Sequence, residues 1–385
     1  MSQRRFIAAV AVGLLFTQSA NLMLAPLLVA MAREFDTSVA VAGQLATVMF
    51  AAWGVSVVTV GPLSDSLGRR PVALIGLTLL AISVLASAFA PNLGTLMALR
   101  VATGLGGGMI PPNSMAAVAD SLPPARRSRT VGGLMAFATL SSVIGLPLVA
   151  VAADFGGWRL PFLVIGSLLA ACALLNWFWF PKGDGAARSS FSFFSRYRTL
   201  LALAVFRSAL AVNFAQRIAY MALVGYVAAY LIDVYGMSVG AVALPLASVG
   251  VGTVVGSYLG GFVANREDRM RLIAAAAVAG GVAALLMFLI DVSVWTDVAL
   301  ATAAALLLSV GWPVFITFST EVSSHSRATG VGLLGASNQS GSVGGAALGG
   351  VLLAVMGFPG IGYLCLGAGA FSAVLIALFM RRIRT

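Results

Sequence analysis

The sequence predicts an all-α membrane protein: twelve transmembrane helices in two pseudo-symmetric six-helix halves. Three observations carry that prediction. Of 385 residues, 60% are hydrophobic and only 9% are charged, with a mean hydropathy of +1.01, whereas a soluble domain is about one quarter charged. The apolar residues gather into runs of spanning length, ~20 residues for ~30 Å of hydrocarbon. The runs also divide six and six about one long polar segment. Helix-length runs without ten-residue alternation exclude a membrane barrel, the other structure that satisfies its backbone inside lipid.

The first run, 6–31, follows Arg4 and Arg5. That flank fits a secretory leader, but the apolar stretch outruns a leader's core of about 7–15 residues, so a retained span is expected. The next five runs occupy 39–63, 72–90, 94–119, 130–152 and 160–180. The polar stretch PKGDGAARSSFSFFSRYR, Pro181 to Arg198, then intervenes. Its later part mixes Phe191, Phe193, Phe194 and Tyr197 with Arg196 and Arg198, which suits an inner headgroup boundary as well as a solvated linker. Beyond it lie 200–231, 238–263, 271–290, 297–319, 329–353 and 361–380. Residues 1–180 and 199–385 are therefore the expected halves, with 181–198 a cytoplasmic linker.

The net charge of +11 rests on 22 arginines and a single lysine, Lys182. Eighteen of these fall in one alternate set of loops and tails, such as Arg69, Arg70, Arg126 and Arg127. The other set holds only Arg33 and Arg159. Basic residues stay on the cytoplasmic side, so both termini are expected there, in a bacterial-type inner membrane. The basic excess is a topology signal and implies no nucleic-acid partner. Cys172 and Cys365 both lie in apolar runs and read as small buried hydrophobes. No phosphate-binding G-x-x-x-x-G-K-[ST] occurs, and one histidine with two distant cysteines makes no metal site. No enzyme chemistry and no cofactor is implied. GLGGG at Gly104 to Gly108 lies mid-run and reads as close helix packing.

The halves look duplicated. After the second run the chain reads GPLSDSLGRRPVALIG, and after the eighth GGFVANREDRMRLIAA. Glycine, a small polar residue and arginines recur at the same point, but Asn265 stands where Asp65 does and the second copy lacks an equivalent of Gly68. Duplicated six-helix halves with a site between them near the midplane are an architecture of secondary transporters.

At these residues the chain resembles the major facilitator superfamily, over all twelve runs. The loop after the second run fits that superfamily's signature G-x-L-a-D-x-x-G-R-[RK] through Gly61, Leu63, Asp65, Gly68, Arg69 and Arg70. RVATGLGGG, with Arg100 and Gly104, resembles the fourth-span motif of drug:proton antiporters. GLPLVAVAADFGGWRLPF, with Gly145 and Pro147, is similar to the fifth-span pattern of sugar- and drug-efflux permeases, although Leu146 separates the glycine from the proline. ASNQSGSVGGAALGG in the eleventh run also looks like that efflux group.

Gly68 lets the loop turn where a Cβ would clash, Asp65 caps the following helix or pairs with Arg69, and Arg70 faces the anionic inner leaflet. The resemblance adds Asp120, at the end of the fourth span, as a further partner. A cluster of Asp65, Arg69 and Asp120 would latch one state of a transporter and break in the other. Arginines alone would serve topology; the acid and the glycines are what topology does not require.

Ionisable residues inside spans are costly and point to function. Arg207 lies two turns into the seventh run and is expected to snorkel to the headgroups. Arg100 and Arg217 lie deeper. Asn213, Gln216 and Tyr220 flank Arg217 at helical spacing. Gln18 and Asn21 in span 1, Asn113 in span 4, Trp312 and Phe315 in span 10, and Asn338 in span 11 complete a candidate polar cavity. The resemblance implies that spans 1, 4, 7 and 10 line it.

All twelve acids map to loops or helix ends, among them Glu34, Asp36, Asp154, Asp233 and Asp297, and His325 is in a loop. A cavity with arginines and no mid-membrane acid favours an anionic or neutral solute over a cation. The expectation is proton-coupled efflux of a small organic or amphipathic compound. Uptake or facilitated flux of an organic anion or lipid-like molecule is the alternative, and a non-transporting sensor a further one. Expected partners are a small-molecule substrate, protons and membrane lipid, with a monomer as the working unit.

Overall fold

The structure is a computed structural model that describes residues 3–181, 193–322 and 327–383. Lys182, Asp184, Arg188, His325, Arg384 and most of the expected linker lie outside the described residues. Among the described residues, twelve helices are long and apolar enough to cross a membrane. In the first half these are spans 1 to 6: Gln3–Glu34, Val39–Gly61, Arg69–Ser87, Leu93–Asp120, Thr130–Gly156 and Arg159–Trp179. Spans 7 to 12 are Ala204–Tyr235, Ala243–Val263, Arg269–Leu289, Val294–Val322, Gly330–Met356 and Phe358–Leu378.

Local chemistry sets the departures from the expected bounds. Span 1 is regular from Gln3 to Leu22, then passes through the 3₁₀ turn Ala25–Leu27 before Leu28–Glu34. Pro26 cannot donate to the Leu22 carbonyl and its ring crowds that turn. Span 7 begins at Ala204, because Phe193–Ala202 forms its own helix. Arg207 donates to the Leu201 and Ala202 carbonyls at 2.8 and 3.2 Å. It therefore caps the end of that short helix, where its positive charge meets the unpaired carbonyls.

The same pairings recur in both groups of six: 2 with 4, 3 with 4, 3 with 6, 1 with 6 and 1 with 5, matched by 8 with 10, 9 with 10, 9 with 12, 7 with 12 and 7 with 11. Across the groups, span 2 packs on span 11 and span 5 on span 8. The groups meet tightly at the end opposite the termini. There a Cβ on Gly43 would lie 2.3 Å from the Tyr226 hydroxyl, and one on Gly350 would lie 2.6 Å from Gln44 Nε2. The Gly240 amide donates to Asp154 Oδ1 at 3.1 Å at the same end. Toward the termini, Gly61, Gly132, Gly133 and Gly261 have no atom of the described residues within 4 Å of a Cβ position.

Candidate functional site

Span 2 continues as helix to Leu67 and stops at Gly68, whose φ of 94° suits only glycine. The turn aims Arg69 back across its neighbours. Its Nη1 lies 2.8 Å from Asp65, its Nε lies 3.3 Å from Asp120, and it also donates to Ser64 Oγ. Asn113, a candidate cavity residue, instead donates to the Arg69 carbonyl at 2.8 Å. One arginine thus ties spans 2, 3 and 4 within the first half. Arg70 donates to the Trp177 carbonyl at 2.6 Å and lies 5.6 Å above that ring, fixing span 6.

The second half has a clamp of its own. Arg269 grips Glu321 through Nη1 at 3.1 Å and Nη2 at 2.6 Å, and Nη1 also reaches the Ala264 carbonyl at 3.0 Å. Comparing the two loops alone hides this, since Glu321 is 52 residues away at the end of span 10. Among the described residues all five ion pairs lie within one half.

Arg100 is wholly buried, donating from Nη2 to Ser87 Oγ at 2.6 Å and lying 4.9 Å above the Phe162 ring. It faces spans 3 and 6, inside the first half, and its Nε and Nη1 have no hydrogen-bond partner among the described residues. Gly104 is a close approach: a Cβ there would lie 2.2 Å from the Met49 carbonyl of span 2. Gly145 ends a π turn, Ser141–Gly145, and a Cβ on it would meet Ser19 Oγ of span 1 at 2.5 Å. Pro147 follows and has no N–H to restore the ordinary ladder.

A cavity lies between the halves, just inside their closed end. Asn21, Ala25, Gly43, Phe50, Met221 and Gly225 are among its lining residues. On span 7, Arg217, Met221 and Gly225 follow at four-residue steps; Met221 and Gly225 line the cavity, while Arg217 packs toward Gly341 of span 11, where a Cβ would lie 2.7 Å from its own Cβ. Arg217 stands one turn, ~5.4 Å, nearer the termini than Met221. On span 1, Gln18 stands one turn from Asn21, whose Nδ2 lies 3.5 Å from Gln18 Oε1. Arg217 donates from Nε to Ser342 at 3.0 Å and lies 4.8 Å above the Tyr220 ring, which orients its guanidinium.

The other candidates turn elsewhere. Asn213 donates to the Leu334 carbonyl and Ser337, Gln216 to Ser372, and the Tyr220 hydroxyl meets Thr253. All are hydrogen bonds between helices of the second half, as buried polar groups require. Phe315 is buried in a small apolar cluster on which Trp312 packs. Asn338 is half-buried and its carbonyl accepts from Ser342. Gln339, its neighbour, leans on span 2, where a Cβ on Gly54 would lie 3.6 Å from its own Cβ. Thr17 Oγ1, Asn21 Oδ1, Thr47 Oγ1 and Gln339 Nε2 are buried without a hydrogen-bond partner among the described residues. The oxygens can accept, and the Gln339 amide can donate, hydrogen bonds with a solute or with water.

The family profile described as Major Facilitator Superfamily matches residues 10–323. The chain is 26% identical over 389 residues to the gallate transporter of Pseudomonas putida, covering 90% of this chain and 84% of that one. It is 27% identical over 245 residues to the inner membrane transport protein YdhP of Escherichia coli strain K12, covering 63% and 61%. A probable vesicular acetylcholine transporter-B of Danio rerio is 35% identical over 133 residues, 33% of this chain. The matches span between 27% and 61% of the length of the first curated relatives. Among solved structures, a bacterial homologue of the human lysosomal transporter Spinster superposes with a TM-score of 0.78 at 19% identity, covering 99% of this chain and 95% of that one.

Proposed function

The chain belongs to the Major Facilitator Superfamily of transporters, and we propose that it exports a small anionic or neutral organic solute by alternating access, driven by protons. The observation that carries the solute class is Arg217. It lies one helical turn from Met221, which lines the cavity between the halves, and among the described residues no carboxylate lies within 4.0 Å of it. An unneutralised guanidinium beside a membrane-spanning cavity attracts an anion and repels a cation. Gallate is an organic anion, and the relative that transports it matches over 90% of this chain. That relative equally favours a second reading, in which the same cavity takes an anion inward.

Both termini are proposed to be cytoplasmic, from the arginine distribution, so the closed end faces outward and the cavity opens inward. Rocking of the halves about the contacts of span 2 with 11 and span 5 with 8 would expose it to the other side. The test is flux in proteoliposomes with an imposed pH gradient, across anionic, neutral and cationic solutes with gallate among them. Anions or neutral solutes should move and respond to the gradient. Movement of cations alone would sink the electrostatic argument, and an Arg217→Ala protein with an unchanged solute range would remove that residue from the site.

A further inference from the structure

We infer that the Asp297 carboxyl is a resident proton site, exchanging with water at the closed end of the protein through Tyr230 and Asp291. The inference deepens the proton-driven reading above by naming where a proton sits.

Asp297 stands in the first turn of span 10 and is 0% exposed. Two hydroxyls of span 7 reach its Oδ2, Tyr235 at 2.6 Å and Tyr230 at 2.7 Å. The Tyr230 oxygen lies equally 2.7 Å from Oδ1 of Asp291, which is exposed in the loop between spans 9 and 10. Three contacts of hydrogen-bond length therefore share the protons of two hydroxyls, and the third contact needs a proton on a carboxyl. The second observation is independent: Asp297 Oδ1 is buried and has no hydrogen-bond partner among the described residues. A charged oxygen left bare in apolar surroundings is expensive, whereas the carbonyl oxygen of a neutral acid costs far less.

With the proton on Asp297 every contact is satisfied. Asp297 donates from Oδ2 to Tyr230, Tyr230 donates to the Asp291 carboxylate, and Tyr235 donates to Asp297 Oδ2. Span 9 and span 12 contribute Phe288 and Phe358, each edge-on to the Tyr230 ring at 5.3 Å, which keep water from that side. Asp233 of span 7 is exposed nearby at the rim, where it faces Arg33 of span 1. Among the described residues no arginine or lysine nitrogen lies within 4.0 Å of Asp291 or Asp297. Loading from water conserves charge: a proton arriving on Asp291 passes to the Tyr230 oxygen as that hydroxyl gives its own proton to Asp297.

The experiment is infrared difference spectroscopy on the full chain in phosphatidylethanolamine–phosphatidylglycerol vesicles. The wild type in neutral buffer should show the carbonyl stretch of a protonated carboxyl. Asp297→Asn should lose the band, Asp291→Asn should keep it, and Asp297→Glu should shift it. Tyr230→Phe should keep the band but slow its shift in heavy water. An ionised Asp297 that merely clamps span 7 gives no band in the wild type, and that result overturns the inference. So does a band removed by Asp291→Asn and left by Asp297→Asn, or one abolished by sodium chloride but not choline chloride, which makes the pair a cation site. The spectra are read without solute or gradient, so the proton site and proton-driven flux fail separately.

Discussion

The Ser142 carbonyl faces the backbone of Gly250 across the two halves, so closely that a Cβ on Gly250 would lie 2.1 Å from the oxygen. The cause is local. The Leu146 amide bonds to the Ser141 carbonyl, five residues back, as a π turn requires. The next amide would belong to Pro147, which has none. Ser142 is left with a carbonyl that its own helix does not use, and a glycine on span 8 lets the other half approach it, a setting suited to a weak Cα–H···O contact. Gly250→Ala should therefore push spans 5 and 8 apart, at about 1–3 kcal/mol for overpacking. Proteoliposome flux should fall sharply, while Gly367→Ala, where a Cβ meets no atom within 4 Å, should leave it unchanged.

The two arginine clamps predict a separation of stability from transport. Arg69 with Asp65 and Arg269 with Glu321 are partly exposed pairs, and such pairs contribute about 0–1 kcal/mol. Asp65→Asn and Glu321→Gln should each shift unfolding free energy by less than about 1 kcal/mol. Flux should nonetheless drop in both if the pairs bias one arrangement of the halves. Membrane insertion, read by expression and gel filtration, should be untouched. Equal flux in wild type and both variants would leave the clamps as topology signals only.

Hydropathy made the twelve spans legible, because lipid demands a long apolar run for each. Which residues share a helical face was legible as well. Which neighbour that face meets was not: Asn213 and Arg217 bond to span 11, while Gln216 and Tyr220 between and beside them bond to spans 12 and 8. Periodicity orders residues around one helix and is silent about the rotation of that helix in a bundle. Asp297 shows the same limit. It reads as a helix-end acid, and only tertiary packing puts two tyrosines over it.

Arg100 offers a test of what a buried charge costs. One nitrogen reaches Ser87 and two others have no partner, so its guanidinium is poorly compensated and an apolar side chain of similar length should be tolerated. Arg100→Met should change stability little. Arg100→Ala leaves a cavity against Phe162 and should cost about 2–5 kcal/mol. Ser87→Ala removes the one bond and should cost about 1–3 kcal/mol. Thermal unfolding in detergent checks the order; a Met variant as damaged as the Ala variant would show that the charge itself is needed.

Closure of the end opposite the termini hangs on Gly43 and Tyr226. The Tyr226 hydroxyl donates to the Ala346 carbonyl at 2.9 Å, and this fixes its oxygen 2.3 Å from a Cβ position on Gly43. Gly43→Ala should therefore pry that end open. Tyr226→Phe removes the offending oxygen, leaving the ring carbon at 3.1 Å as the nearest atom. The double variant should close again, less about 1 kcal/mol for the lost bond from the hydroxyl to the Ala346 carbonyl. Spin labels at the exposed positions Val41 and Val234, on opposite halves at that end, should report longer distances in Gly43→Ala and a return in the double variant. Failure of Tyr226→Phe to restore the short distance would mean that the contact with the hydroxyl does not hold the end shut.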